Sequence, residues 1–289
     1  MGRLFKAFFF KLSRDLTFRI VLIVGAGIAF FVTALYLMID LGMDGLFGAQ
    51  TKFLSGPNML LTSFNPVDNF GLAIPICLIT FTCLEFTQGT IRNKIIAGHS
   101  KFKIYTSLVL SGLVLTFALL IIYVGICTLI GTIFGGFDLS NPIIIITLSI
   151  AGAYADPLYI VQMLIVAVVV YICIVSYTVF FAALFRNVGP CIPIVIIVLM
   201  MLSLGGSIVA MIGEALESDT LVNIVKALDP LYVISGGGTE FSYIVENDNP
   251  KQYVSLETGA FVGAIINNLV YAALFYVGGA LIFVKRDVK

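Results

Sequence analysis

Charge is what this chain has least of: 11% of its 289 residues are Asp, Glu, Lys or Arg, against 60% hydrophobic, and the mean hydropathy is +1.10. So little polar surface cannot cover a soluble globule of this size, and the chain reads as a polytopic membrane protein. Nucleotide chemistry is missing as well. No GxxxxGK[ST] pattern occurs, which excludes ATP binding through a P-loop of its own. One histidine, His99, and five scattered cysteines without a CxxC pair supply no metal-ligand cluster, so Cys77, Cys83, Cys127, Cys173 and Cys191 read as packing residues. HExxH is absent, and His99 lies in a polar loop away from any membrane-embedded serine, which disfavours a Ser/His hydrolase. No catalytic, cofactor or metal site is therefore expected in this chain. The apolar runs carry no ionisable residue near their centres, where an ion-coupled transporter binds its ion, and no carbonyl filter or acidic ring of a channel. Their continuity also excludes the period-2 segments of an outer-membrane barrel.

What is present is a series of six apolar runs: 20–41, 69–84, 104–134, 158–185, 188–212 and 260–284. Spanning hydrocarbon takes roughly 20 residues, so the second, which is short and contains Pro75, crosses only with snorkelling flanks or local thinning. The sequence predicts an all-α polytopic membrane protein, a single transmembrane domain over 1–289. A formal net charge of zero conceals a segregation along this frame. With six spans and an inside N-terminus, only Lys52, Lys226 and Lys251 of the sixteen cations fall outside, whereas thirteen of the sixteen acids do. The basic bias sets orientation, so both termini are expected in the cytosol.

A seventh apolar run, Pro142 to Ala155, would invert everything after it, placing Arg186 and the basic C-terminus outside. It is read instead as an interfacial or partly inserted helix within the exterior loop 135–157. Residues 3–18 gather Phe5, Phe8, Phe9, Leu12 and Leu16 on one face and Arg3, Lys6 and Arg14 on the other, as in a helix lying in the headgroup layer. A signal peptide is the bland alternative, but the next apolar run is too long and lacks a small-x-small cleavage site. The remaining exterior loops, 42–68 and 213–259, are long enough to fold. In the second, Leu221 to Leu228 is expected to form an amphipathic helix ended by Asp229-Pro230, Leu231 to Ile234 reads either as a segment dipping back toward the bilayer or as a cap over the outer helix ends, and Gly236 to Gly238 is expected to break the run. Mid-span polarity peaks at Asn267 and Asn268, for which helix packing and a polar contact in a transport pathway are both open readings.

Function is most legible in the loop 85–103, which holds Arg92, Lys94, Lys101, Lys103 and the lone histidine between two spans. Thr90 can cap a two-turn helix, Ile91 and Ile95 share one face, Arg92, Asn93 and Lys94 the other, and Gly98 ends it. Such a helix suits an anionic inner leaflet and a protein groove equally well. Glu85 followed by Gly89-Thr-Ile-Arg-Asn-Lys-Ile-Ile-Ala-Gly-His-Ser-Lys101 resembles the cytosolic loop of ABC-2-type transporter permeases, and Leu228 to Tyr232 is similar to a weaker proline-containing pattern before that family's last span. The resemblance implies a six-span, type V exporter-like fold in which Glu85, Gly89, Thr90, Ile91, Arg92, Asn93, Lys94, Ile95 and Gly98 belong to an ATPase-coupling helix. It further implies two nucleotide-binding ATPase subunits that hold the ATP and Mg, a second copy or homologous permease, no nucleic-acid partner, and a bacterial plasma membrane location. Amphipathic or antimicrobial peptides, or other hydrophobic compounds, are the implied substrates of export. A non-transporting sensor or immunity protein and a secondary transporter are the competing readings.

Overall fold

The computed structural model describes residues 16–43, 53–66, 73–138, 143–145, 150–155, 157–215, 228–235, 238–246 and 249–285. The interfacial stretch 3–18, apart from its last three residues, and the helix expected over Leu221 to Leu228, apart from Leu228, lie outside them. Each expected span is matched by a helix: α1 (Leu16–Met43), α3 (Ala73–Thr87), α5 (Lys101–Gly135), α6 (Pro157–Phe185), α7 (Val188–Ala215) and α8 (Thr258–Lys285). Two short helices join them, α2 (Gly56–Phe64) and α4 (Thr90–Ile96).

The chain is a mostly helical, membrane-embedded protein. Helices α1, α5, α6 and α8 are each long and apolar enough to cross a bilayer, and α3 with α4, bent by 53° at their junction, makes a fifth if taken as one broken span. Within α7, Val188–Met201 forms a shorter apolar stretch. Pro75 is tolerated because it falls in the first turn of α3, where its missing N–H has no intrahelical acceptor in any case.

One expectation for the loops requires correction. Pro142 to Ala155 is not an interfacial helix: β1 (Ile143–Ile145) and β2 (Ile150–Ala155) pair antiparallel. Consecutive isoleucines are stiff at χ1 and suit a pleated surface, and Tyr154 and Ala155 find a parallel partner strand in Tyr253 and Val254. That partner, β4 (Asn249–Leu256), pairs antiparallel with β3 (Thr239–Glu246), so a four-stranded sheet in the order β1-β2-β4-β3 stands at one end of an otherwise helical protein. Two distant loops thus fold together, and the all-α expectation holds for the bundle only.

Within 42–68, a loop long enough to fold, the described residues do fold. Asp40 accepts the backbone N–H groups of Phe53 (2.7 Å) and Leu54 (2.8 Å), and α2 then runs back along α5 with most of its residues buried. Gly131 and Gly135, one helical turn apart on α5, permit that approach: a Cβ at Gly131 would meet Met59 Cγ at 2.6 Å, and one at Gly135 would collide with the Leu54 carbonyl. At the tip of α2, Phe64 meets Tyr171 of α6 edge-on, and Asn65 Nδ2 reaches the Ile234 carbonyl at 3.4 Å.

The segment 228–235 also enters the bundle, as the apolar patch Leu231 to Ile234 suggests. Leu231, Val233 and Ile234 are buried. Asp229 Oδ1 accepts the Leu231 N–H at 2.8 Å, a self-closing turn, and α8 holds two of its carbonyls from the side. Irregular backbone among apolar helices needs such protein partners, because no water is at hand to satisfy it.

Candidate functional site

The loop 85–103 folds into an elbow between α3 and α5. Gln88 N–H bonds the Leu84 carbonyl (2.9 Å), and Gly89, at φ +67°, turns the chain where a side chain would be strained. Helix α4 begins at Thr90. Its end is marked by Gly98 at φ +84°, with His99 N–H closing onto the Lys94 carbonyl at 3.2 Å, as the glycine stop predicts. Ser100 then caps α5 by accepting the Lys103 N–H at 3.4 Å.

Two side chains depart from the expected arrangement. Thr90 does not cap; Gly89 holds that position, and the Thr90 hydroxyl turns back to α3, 2.7 Å from Glu85 Oε2 and 2.8 Å from the Glu85 carbonyl. Lys94 leaves the face of Arg92 and Asn93 and places its Nζ 2.9 Å from Glu85 Oε2. The reason is burial: Glu85 is 1% exposed, and a carboxylate at such depth takes the nearest cation and hydroxyl. Glu85, Thr90 and Lys94 therefore brace α4 internally against the end of α3.

The faces of α4 follow from that brace. Ile91 is buried and Ile95 packs against the core, as expected, while Arg92 and Asn93 are exposed. Ile96, one turn beyond Arg92, is 73% exposed, so the outward face is a cation beside an aliphatic side chain. Nearby, Lys101 Nζ donates to the Val284 carbonyl in the last turn of α8 (3.1 Å), where helix carbonyls lack intrahelical donors. Arg186, at φ 59° just past α6, sets its guanidinium 5.9 Å from the Phe86 ring centre, and Phe86 meets Phe283 edge-on. The elbow is thereby fastened to α3, α6 and α8 at a basic end of the bundle, opposite the sheet.

Asn267 and Asn268 lie far from this elbow and are not brought to it. Asn268 is fully buried and donates to the Pro230 and Ala264 carbonyls, both at 2.9 Å. One of those bonds goes to the inserted turn and not to another span. Asn267 is half-buried, and its Nδ2 has no hydrogen-bond partner among the described residues. Sequence reasoning missed Asp40 and Tyr271, whose hydroxyl bonds the Leu228 carbonyl at 2.9 Å. An acid closing an apolar run signalled the first; a tyrosine within a span carries no comparable mark.

Among the described residues no group of three or more His, Cys, Asp or Glu is placed to hold a metal. Comparison with protein-family models, with curated proteins and with solved structures returns no match.

Proposed function

We propose that the chain is the permease subunit of an ATP-driven exporter, and that the α3–α4–α5 elbow is where a separate nucleotide-binding ATPase docks. The observation that carries this reading is the brace: a two-turn helix held by Glu85, Thr90 and Lys94 presents Arg92, Asn93 and Ile96 outward on a rigid mount. A lipid contact needs no such internal fixing, since an interfacial helix is held by partition alone. A force-transmitting contact does, because a loose mount would dissipate the motion of the motor. The missing P-loop and the resemblance of residues 85–101 to ABC-2-type permeases point the same way.

On this reading two ATPase subunits bind a pair of permeases in the plasma membrane of a bacterium, and closure of the ATP-bound motor shifts the bundles to open an outward path. Amphipathic peptides and other hydrophobic compounds are the proposed cargo. Purification of the tagged chain from its native membrane, followed by identification of any co-purifying Walker A protein and an ATPase assay, tests the proposal. Arg92→Glu combined with Ile96→Asp is expected to lose the ATPase while leaving the brace and the purified bundle intact; retained association and export would refute docking through α4. Lys94 is unsuitable for that test because its charge serves Glu85.

A non-transporting peptide sensor is favoured by one observation, the exposure of Tyr243 (70%) and Phe241 (38%) on the edge strand β3. Its distinguishing result is peptide binding by the chain alone, with no ATPase bound and no gradient formed.

A further inference from the structure

The sheet reaches beyond the helices beneath it. Its register sets Phe241 opposite Val254, Val254 opposite Ala155, and Tyr243 opposite Gln252, so these side chains share one face, while Ser242, Tyr253 and Tyr154 share the other. The Tyr154 and Tyr253 rings, 5.5 Å apart, bear out the second set. The face of Val254 looks into the bundle, because Val254 and Leu256 are both buried in its main core. With β1 resting on α2 and β4 on α6, the sheet lies across the bundle end, and side chains of that face point toward the membrane. Tyr243 is nevertheless 70% exposed and Phe241 38%. They belong to β3, the edge strand, where the helices no longer cover that face.

The neighbouring span decides what lies under this overhang. Gly238, at φ +75°, gives its carbonyl to the Glu257 N–H (3.0 Å), and a Cβ there would collide with that of Ala260, so β3 starts against the first turn of α8. Helix α8 is apolar and long enough to cross a bilayer, and Val262 and Ile266, one and two turns below Ala260, are exposed. The lipid-facing surface of α8 therefore begins where β3 begins. At about 3.3 Å per residue, Phe241 lies about 7 Å and Tyr243 about 13 Å along the sheet from the level of Leu256. Glu240 and Ser242, between and beside them, are exposed on the opposite face, so this part of the strand alternates aromatic toward the membrane and polar toward water. Aromatic rings gather where hydrocarbon meets headgroups, and tyrosine can bury its ring there while its hydroxyl stays wet. An eight-residue edge strand also needs cover against pairing with other chains, and a headgroup layer supplies it.

We propose that β3 is a membrane-interface anchor, with Phe241 and Tyr243 seated in the headgroup layer beside α8. Lipid is the occupant, and the exposed aromatic pair then needs no peptide to account for it. This inference rests on membrane embedding alone and does not depend on the permease reading.

The chain has no tryptophan, so Tyr243→Trp creates a single fluorescent reporter, and Ser242→Trp provides its control on the opposite face. Each full-length variant is reconstituted in phosphatidylcholine vesicles whose acyl chains carry bromine either near the headgroup or near the chain end, and iodide is added from the water. Tyr243→Trp is expected to be quenched by bromine near the headgroup, less by bromine at the chain end, and several-fold less by iodide than Ser242→Trp. Ser242→Trp should be quenched by iodide and insensitive to brominated lipid. Phe241→Trp gives the same reading as Tyr243→Trp should the latter fail to fold. The proposal is overturned if the membrane-side reporter is as open to iodide as the control, or if it is shielded from iodide without quenching by brominated lipid, the signature of cover by a peptide or a second copy of the chain.

Discussion

Removing the charge of Lys94 should cost more than removing that of Glu85, although the two form one pair. Lys94 keeps 23% of its side chain accessible, whereas Glu85 keeps 1%. In Glu85→Gln the ammonium swings into water, and the shape-conserving amide still accepts from Thr90; the cost is that of exchanging a buried charged hydrogen bond for a weaker one, about 1–2 kcal/mol. In Lys94→Met the carboxylate stays at depth and loses its ammonium, and stripping one partner from a buried pair costs about 3–5 kcal/mol. Combining the two removes both charges, so the loss in the double variant should be well below the sum of the single losses, close to that of Glu85→Gln alone. Urea unfolding of the detergent-solubilised chain, or of vesicle-embedded protein followed by proteolysis at the elbow, gives the four corners of the cycle. Equal losses for the two single variants, or strict additivity, would refute the claim that Glu85 depends on Lys94 and that this dependence fixes α4.

Other expectations follow from close approach and from titration. Gly135→Ala on α5 forces α2 off its seat because the new methyl meets the Leu54 backbone, and the loss should be about 1–3 kcal/mol; Gly125→Ala, on the same helix with nothing within 4 Å, should be neutral or gain up to about 1 kcal/mol, both read by thermal unfolding in detergent. Burial pushes the Asp229 carboxyl from 3.8 up to about 6, against the opposing pull of the Leu231 N–H. The folded state then holds this proton more tightly than the unfolded one, so its stabilising contribution is complete below about pH 4 and lost as pH rises through about 6. Asp229→Asn preserves the turn acceptor and should flatten that part of the stability curve; an unchanged slope would show that another group titrates there.

The helices were legible because each problem was local: a run of apolar residues long enough to cross needs no partner to declare itself. Gly89 and Gly98 were equally plain, since a positive φ is a property of one residue and its neighbours. The sheet was hidden for the opposite reason. Tyr154 meets Tyr253 across about a hundred residues of chain, and nothing in the isoleucines before β2 says that a strand of another loop awaits them. Helix α2 was hidden because its evidence is divided between Asp40, which anchors it, and Gly131 with Gly135, which make room for it. At the elbow, spacing placed Lys94 beside Arg92 and Asn93; only the depth of Glu85, set by packing of α3, turns that lysine inward.

Helix α8 is held near its last turn and again near the middle of its length. Near its last turn Val284 receives Lys101 and Phe283 touches Phe86, while toward the sheet Asn268 and Tyr271 grip the turn at Pro230 and Leu228. It contains no proline, and its adjacent glycines are filled from outside, Gly278 by Phe180 and Gly279 by Tyr105, so it has no free hinge between the two grips. Mechanically it is a push-rod whose handle at the basic end, Val284, and latch inside the bundle, Asn268, are separated by about 24 Å of helix at 1.5 Å per residue. On the permease reading, work done on the elbow would reach the turn at Pro230 as displacement of one rod.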